Sequence, residues 1–217
     1  MARVIAIANQ KGGVGKTTTT VNLSACLAVK GKRVLTIDID PQGNTTSGLG
    51  IDKTEVKESI YDVIINDLSL HETVMPTKIE TLGLSPSNIH LAGAEVELVS
   101  VISREMRLKS AIAEVKDQYD FILIDCPPSL GLLTVNALTA ADTILVPIQC
   151  EYYALEGLSQ LMNTVRIVQK HLNPALKVEG VVLTMFDART NLSIQVVEEV
   201  KKYFGNKVYR TIIPRNV

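Results

Sequence analysis

The chain has 217 residues, enough to bury a core, and sets 22 Lys+Arg against 23 Asp+Glu for a formal charge of -1. That balance excludes the overall positive charge of a dedicated nucleic-acid binder, so basic faces must be sought region by region. Every apolar run stops short of the roughly eighteen residues of a membrane helix, and MARVIAIAN lacks a signal peptide's small-residue cleavage site; the expectation is a soluble cytoplasmic protein without a membrane partner, one domain over residues 1–217.

The first expected strand, RVIAIAN (3–9), runs directly into QKGGVGKTTTT (10–20), which opens an expected helix over 16–30. A strand, a glycine-rich loop and a helix start are the context in which G-x-x-x-x-G-K-[ST] cradles phosphates. Gly12, Gly13 and Gly15, with Val14 between them, let the backbone approach the phosphates, and the amides through Thr18 are expected to point inward. Lys16 is placed to bridge the β- and γ-phosphates and the Thr17 hydroxyl to ligate Mg²⁺. One position departs from the pattern: the first glycine is replaced by Gln10, and a second lysine, Lys11, follows it.

The next strand, RVLTID (33–38), leads into IDIDPQGN, and is expected to lie next to the strand of the phosphate loop. Alternation puts Asp38 and Asp40 on one side. Asp40 is expected to orient an attacking water, while Asp38 either supports the site or only caps the turn that Pro41 and Gly43 make, a use that paired aspartates at a strand end also have. Residues 41–92 are less regular, with weak helix around 56–65, and a helix is expected over 93–116.

Then comes YDFILID (119–125), whose final Asp125 has the form of a carboxylate that holds a metal-bound water opposite Thr17. Helical spacing over 130–141, 154–171 and 191–204 alternates with the strands DTILVPI (142–148), KVEGVVLTMF (177–186) and KVYRTII (207–213). Short Val- and Ile-rich strands alternating with helices predict an α/β fold, a doubly wound, mostly parallel sheet flanked by helices, with ligands beyond the carboxyl ends of the strands. Cys26, Cys126 and Cys150 each lie in an apolar run and read as reduced core thiols.

Taken together, KGGVGKTT (11–18), DIDPQGN (38–44), DCPPSLG (125–131) and EYYALEGL (151–158) resemble the ParA/Soj family of deviant Walker-motif ATPases, and the similarity runs along essentially the whole chain. The resemblance implies slow hydrolysis of ATP with Mg²⁺, and a homodimer in which two ATP molecules are sandwiched and Lys11 reaches the partner's nucleotide, as an arginine finger does. It also implies an adenine pocket lined by Pro214, Arg215 and Asn216, binding to DNA without sequence preference, association with the nucleoid, and a ParB/Spo0J-type partner protein. Residues 187–217 hold six basic residues, Arg189, Lys201 and Lys202 among them, against three acidic ones, the modest excess from which a DNA face is expected.

The sequence departs from the family where it ends, since members continue past the position of Val217 with a further, partly basic helical tail. Two alternatives stand beside the partition switch: a MinD-like membrane ATPase, which requires a C-terminal amphipathic helix, and a metabolic enzyme on the same scaffold. An iron–sulfur version of the latter needs cysteines in glycine-rich loops, where Cys126 and Cys150 do not lie.

Overall fold

The computed structural model describes residues 1–151 and 154–215, the backbone alone for 154–156. Among the described residues eight strands form one sheet: β1 (Arg3–Ile7), β2 (Val34–Asp38), β3 (Met75–Pro76), β4 (Leu82–Ser85), β5 (Phe121–Asp125), β6 (Thr143–Gln149), β7 (Lys177–Phe186) and β8 (Val208–Pro214). Their spatial order is β3-β4-β2-β5-β1-β6-β7-β8, with every pairing parallel except β3 with β4. The central strands are buried on both faces, which is why they read as apolar runs without alternation.

The helices are α1 (Lys16–Val29), α2 (Asn44–Gly48), α3 (Ile60–Ile65), α4 (Leu70–Thr73), α5 (Leu91–Glu97), α6 (Arg107–Val115), α7 (Leu132–Ala140), α8 (Ala154–His171) and α9 (Asn191–Phe204). The main apolar cluster lies on the face that α3 to α9 share, and a smaller one, Ile5, Ile7, Leu123 and Leu145, meets Leu23 and Leu27 of α1. Helix α1 turns a stripe of small residues, Thr20, Ser24 and Ala28, to the protein interior. These let its backbone approach the sheet closely, where Thr36 of β2 donates a buried hydrogen bond to Ser24 at 2.8 Å.

Several sequence expectations are corrected. Strand β2 is not next to β1, because β5 pairs with both and separates them. The helix expected over 93–116 is broken into α5, two short 3-10 turns and α6, with Ser103 in the left-handed region at φ 54 between them. Residues 41–92 hold a strand that pairs fully with β2, namely β4, whose four residues include Gly83. Helix α3 begins at Ser59 with a capping box to Asp62, a start signal present in the sequence. Cys26 is exposed on α1, whereas Cys126 and Cys150 are buried as expected.

Strand order fixes the place of the chemistry. In register, Asp125 lies between Ile7 at the end of β1 and Asp38 at the end of β2. The phosphate loop and both carboxylates thus emerge together at the carboxyl edge of the sheet, where ligands bind in open α/β folds.

Candidate functional site

The loop after β1 turns into α1 through Gly13 at φ 73 and Gly15 at φ 89, a left-handed path that side chains resist. A Cβ added at Gly12 or Gly13 would meet nothing within 4 Å, so these two residues face open space. Among the described residues, none of the backbone N–H groups from Gly12 to Thr18 has a protein acceptor, and the first helical bond runs from Thr19 N–H to the Gly15 carbonyl. Val14 is buried and its carbonyl accepts a hydrogen bond from the Thr184 hydroxyl at 2.9 Å, which pins the loop to β7. Unpaired amides at a helix start form a site for an anion.

The two lysines face different partners. Lys16 is buried, and its ammonium donates to the carbonyl of Lys11 at 3.1 Å. Burial lowers its pKa, opposed first by Asp125 and then by Cys126 and Asp40. Lys11 has its backbone N–H on Asn9, while its ammonium stands 3.4 Å from a carboxylate oxygen of Glu151. The other oxygen of Glu151 accepts from Arg215 at 2.7 Å and from Gln149 at 2.6 Å, so one carboxylate joins the loop mouth to the end of β8.

Asp125 is fully buried and makes no ion pair among the described residues. Three hydroxyls converge on it: Thr17 at 2.8 Å and Thr45 at 2.7 Å on Oδ2, and Thr20 at 3.2 Å on Oδ1. Burial holds its carboxyl above the usual carboxylate range, the three hydroxyls pull it down, and Asp40 pushes it further up.

Asp38 is committed to its own loop. Its oxygens accept the Thr46 N–H at 2.8 Å, the Thr46 hydroxyl at 2.7 Å and the Asp40 N–H at 3.2 Å. The Thr46 oxygen in turn accepts the Ser87 N–H, tying in the segment after β4. Asp40 caps the turn expected at Pro41 and Gly43 by accepting the Gln42 N–H on Oδ1 at 2.9 Å.

Mg²⁺ is suited to this arrangement: Asp38, Asp40 and Asp125 together outnumber the single buried cation Lys16, and a threonine hydroxyl meets a buried carboxylate at the loop. Among the described residues no cluster of three His, Cys, Asp or Glu side chains could hold a metal. A cation here would take its ligands from Thr17, water and phosphate, as Mg²⁺ does when it binds with a nucleotide.

A cavity of about 1020 Å³ begins at Gly15 and Thr18, passes Asn22 and Cys26 of α1 and ends at Pro214 and Arg215 of the last strand. It is continuous with the loop and large enough for a nucleoside. Asn216 lies outside the described residues. Of the expected DNA residues, Arg189 is held by Asp187, whose carboxyl it pulls down to about 2 mainly through their side-chain hydrogen bonds. Lys201 and Lys202 are exposed in the last turn of α9, without an ion-pair partner among the described residues. Sequence reasoning missed Thr20, Thr45, Thr46 and Glu151; the paired threonines directly after DPQGN were the available signal.

An anion loop after a central parallel strand, a buried lysine and threonine at a helix start, and an aspartate on the adjacent strand define a P-loop nucleotide-binding protein with an extra lysine at the loop mouth. Residues 2–178 match the family described as an AAA domain. The chain is 66% identical over 217 residues to the sporulation initiation inhibitor protein Soj of Bacillus subtilis, covering 100% of this chain and 86% of that protein. It is 55% identical to the chromosome partitioning protein ParA of Myxococcus xanthus, covering 100% and 77%. A Mycobacterium smegmatis structure, solved as cobyrinic acid a,c-diamide synthase with bound ADP and magnesium, superposes with a TM-score of 0.93 at 43% identity, covering 100% and 88%. The chain belongs to the ParA/Soj family of chromosome-partitioning ATPases.

Burial and the neighbouring Asp125 push Asp38 from 3.8 up to about 7, against the donors from Thr46 and Asp40. A carboxyl raised in the folded state holds its proton where the unfolded chain has lost it, so it withdraws stability as pH rises between those values. Nucleotide-free protein should resist urea better at about pH 5.5 than at about pH 8, and Asp38→Asn should flatten that difference. An unchanged pH dependence in the variant would assign the effect to other groups.

Proposed function

We propose that the chain is an ATP-driven dimerisation switch that hydrolyses ATP slowly, binds DNA without sequence preference and acts in chromosome or plasmid partitioning or replication control. The observation that carries the reading is the division between the two lysines. Lys16 is buried inside its own loop, and Lys11 stands at the mouth with its ammonium directed to Glu151. A lysine so placed can serve a nucleotide in a second subunit, where it offsets the repulsion between two triphosphates.

In this account the amides of Gly12 to Thr18 and the Lys16 ammonium bind the phosphates, and Thr17 with Asp125, through water, holds Mg²⁺. The cation, when bound, offsets negative charge on the phosphate oxygens. Pro214 and Arg215 flank the base end of the cavity, and Asn216 is assigned there by family resemblance. Asp40 keeps its Oδ2 available after Oδ1 has capped the turn, which suits it to orient a water for in-line attack. Lys201 and Lys202 supply positive charge for DNA phosphates, and Arg189 joins them only if its pair with Asp187 opens. A cytoplasmic, nucleoid-associated protein stimulated by a ParB/Spo0J-type partner completes the reading. No helix among the described residues is long and apolar enough to cross a membrane.

Sedimentation with and without ATP tests the switch, and Asp40→Ala sharpens it. That variant should bind ATP, persist as a dimer and hydrolyse roughly 100-fold or more slowly, the usual cost of losing a general base. A variant that stays monomeric with ATP, or hydrolyses at the parent rate, would contradict the role. ATP hydrolysis in the absence of any acceptor molecule separates this reading from a ligase like the one named for the M. smegmatis structure.

For DNA, the double change Lys201→Ala, Lys202→Ala should weaken binding equally for all sequences. It should also flatten the plot of log affinity against log salt by about 0.9 for each DNA phosphate that is no longer neutralised. Unchanged salt dependence would place the DNA face elsewhere.

A further inference from the structure

Thr45 is the second residue of α2, five positions beyond Asp40, and it is completely buried. Its hydroxyl makes the shortest of the three bonds to Asp125, 2.7 Å, and shares Oδ2 with Thr17. An ionised carboxylate offers about four acceptor positions, two on each oxygen. Thr17 and Thr45 fill both on Oδ2, while the single proton of Thr20 is shared between the Lys16 carbonyl at 2.9 Å and Oδ1 at 3.2 Å, so Oδ1 keeps room for a further donor.

Thr17 and Thr20 both belong to α1, so they alone would tie Asp125 to the phosphate loop. Thr45 arrives from the other side. Its neighbour Thr46 holds Asp38, and Asp38 holds the backbone N–H of Asp40. Two consecutive threonines therefore dock α2 onto two strand ends that are in register, Asp125 and Asp38.

We propose that Thr45 is a positioning residue of the Mg²⁺·nucleotide site: by filling Oδ2 of Asp125 it leaves Oδ1 as the acceptor for a metal-bound water, and it links that carboxylate to the Asp40 loop. The inference rests on the reading of Thr17 and Asp125 as the Mg²⁺ side of the site. Without the Thr45 hydroxyl, the carboxylate has a buried, unfilled acceptor position on the wrong oxygen and can turn toward the cation side in more than one way.

The test measures the affinity of N-methylanthraniloyl-ADP for the full chain in Mg²⁺ and in EDTA, by fluorescence titration, after apo melting has shown each variant folded. Wild type should bind more tightly in Mg²⁺ than in EDTA. Thr45→Val, which keeps the shape and loses the hydroxyl, should bind as wild type does in EDTA, because Lys16 and the loop amides are untouched, and should lose about tenfold of the Mg²⁺-linked gain, the scale of one hydrogen bond to a charged group. Thr45→Ser should keep the gain, and Thr45→Ala replaces the valine variant if that one fails to fold.

A full Mg²⁺-linked gain in Thr45→Val would overturn the role of Thr45 while leaving the phosphate loop intact. A loss in Thr45→Ser as large as in Thr45→Val would also overturn it, because the hydroxyl would then not be the active part. If wild type itself gains nothing from Mg²⁺, the underlying reading of Thr17 and Asp125 fails, and the proposal falls with it.

Discussion

Asp125 sits at the end of β5 with no solvent exposure and, among the described residues, no cation paired with it, in a chain where an isolated buried charge would cost many times the value of a single contact. Three threonine hydroxyls share that burden, each hydrogen bond to a charged group being worth about 1.5–3 kcal/mol. They come from the first turns of α1 and from α2, so the elements that carry the phosphate loop and the Asp40 turn are held together by one carboxylate. Its remaining bias toward the protonated form is the reason a divalent cation suits the place: a charge beside Thr17 relieves what the hydroxyls only reduce.

The sheet makes this convergence possible. Because β5 is inserted between β2 and β1, the ends of three adjacent strands present Asp38, Asp125 and the phosphate loop side by side. Helix α1 lies close over these strands through Thr20, Ser24 and Ala28, and the one hydroxyl proton of Thr20 is shared between the Lys16 carbonyl and Asp125. On the far side of the loop, Glu151 joins Lys11 to Arg215, so the lysine at the mouth and the Pro214–Arg215 end of the cavity are not independent. Both ion pairs are partly exposed, and pairs of that kind contribute little to stability. They are weak enough to exchange partners, as the proposed engagement of a second subunit by Lys11 requires.

What the sequence disclosed and what it concealed follow from where the information lies. Gly15, Lys16 and Thr17 were legible because their spacing is itself the mechanism, and Asp125 because a carboxylate ending an apolar strand gains a specific meaning once a phosphate loop precedes it. The alternation of strands and helices pointed to the parallel sheet, and the limits of β7 and α9 coincide with the apolar patterns of 177–186 and 191–204. Strand order was not legible: the carboxylates of IDID suggest proximity to the loop, and only pairing shows that β5 intervenes. Strand β4 was hidden because LGLS is short and Gly83 interrupts its pattern, yet Val74 packs so closely that a side chain there would clash. The break at Ser103 is a backbone event inside a stretch with good helical spacing. Thr45 and Thr46 looked like turn residues, since the partner of one, Asp125, is 80 positions away and the partner of the other, Asp38, ends the preceding strand. Cys26 has the composition of a core residue and the position of a surface one, on the face of α1 that borders the cavity.

In the proposed switch, Lys11 acts on a nucleotide other than its own. The most direct test of that role is the ATP affinity of Lys11→Ala, beside Lys16→Ala, at a protein concentration too low for dimers to form. Lys11→Ala is expected to bind ATP as the parent monomer does, since Lys16 and the loop amides remain, whereas Lys16→Ala should lose about 100-fold or more, as removal of a buried charged partner does. A comparable loss for Lys11→Ala in the monomer would contradict the proposed role, because the lysine would then serve its own loop.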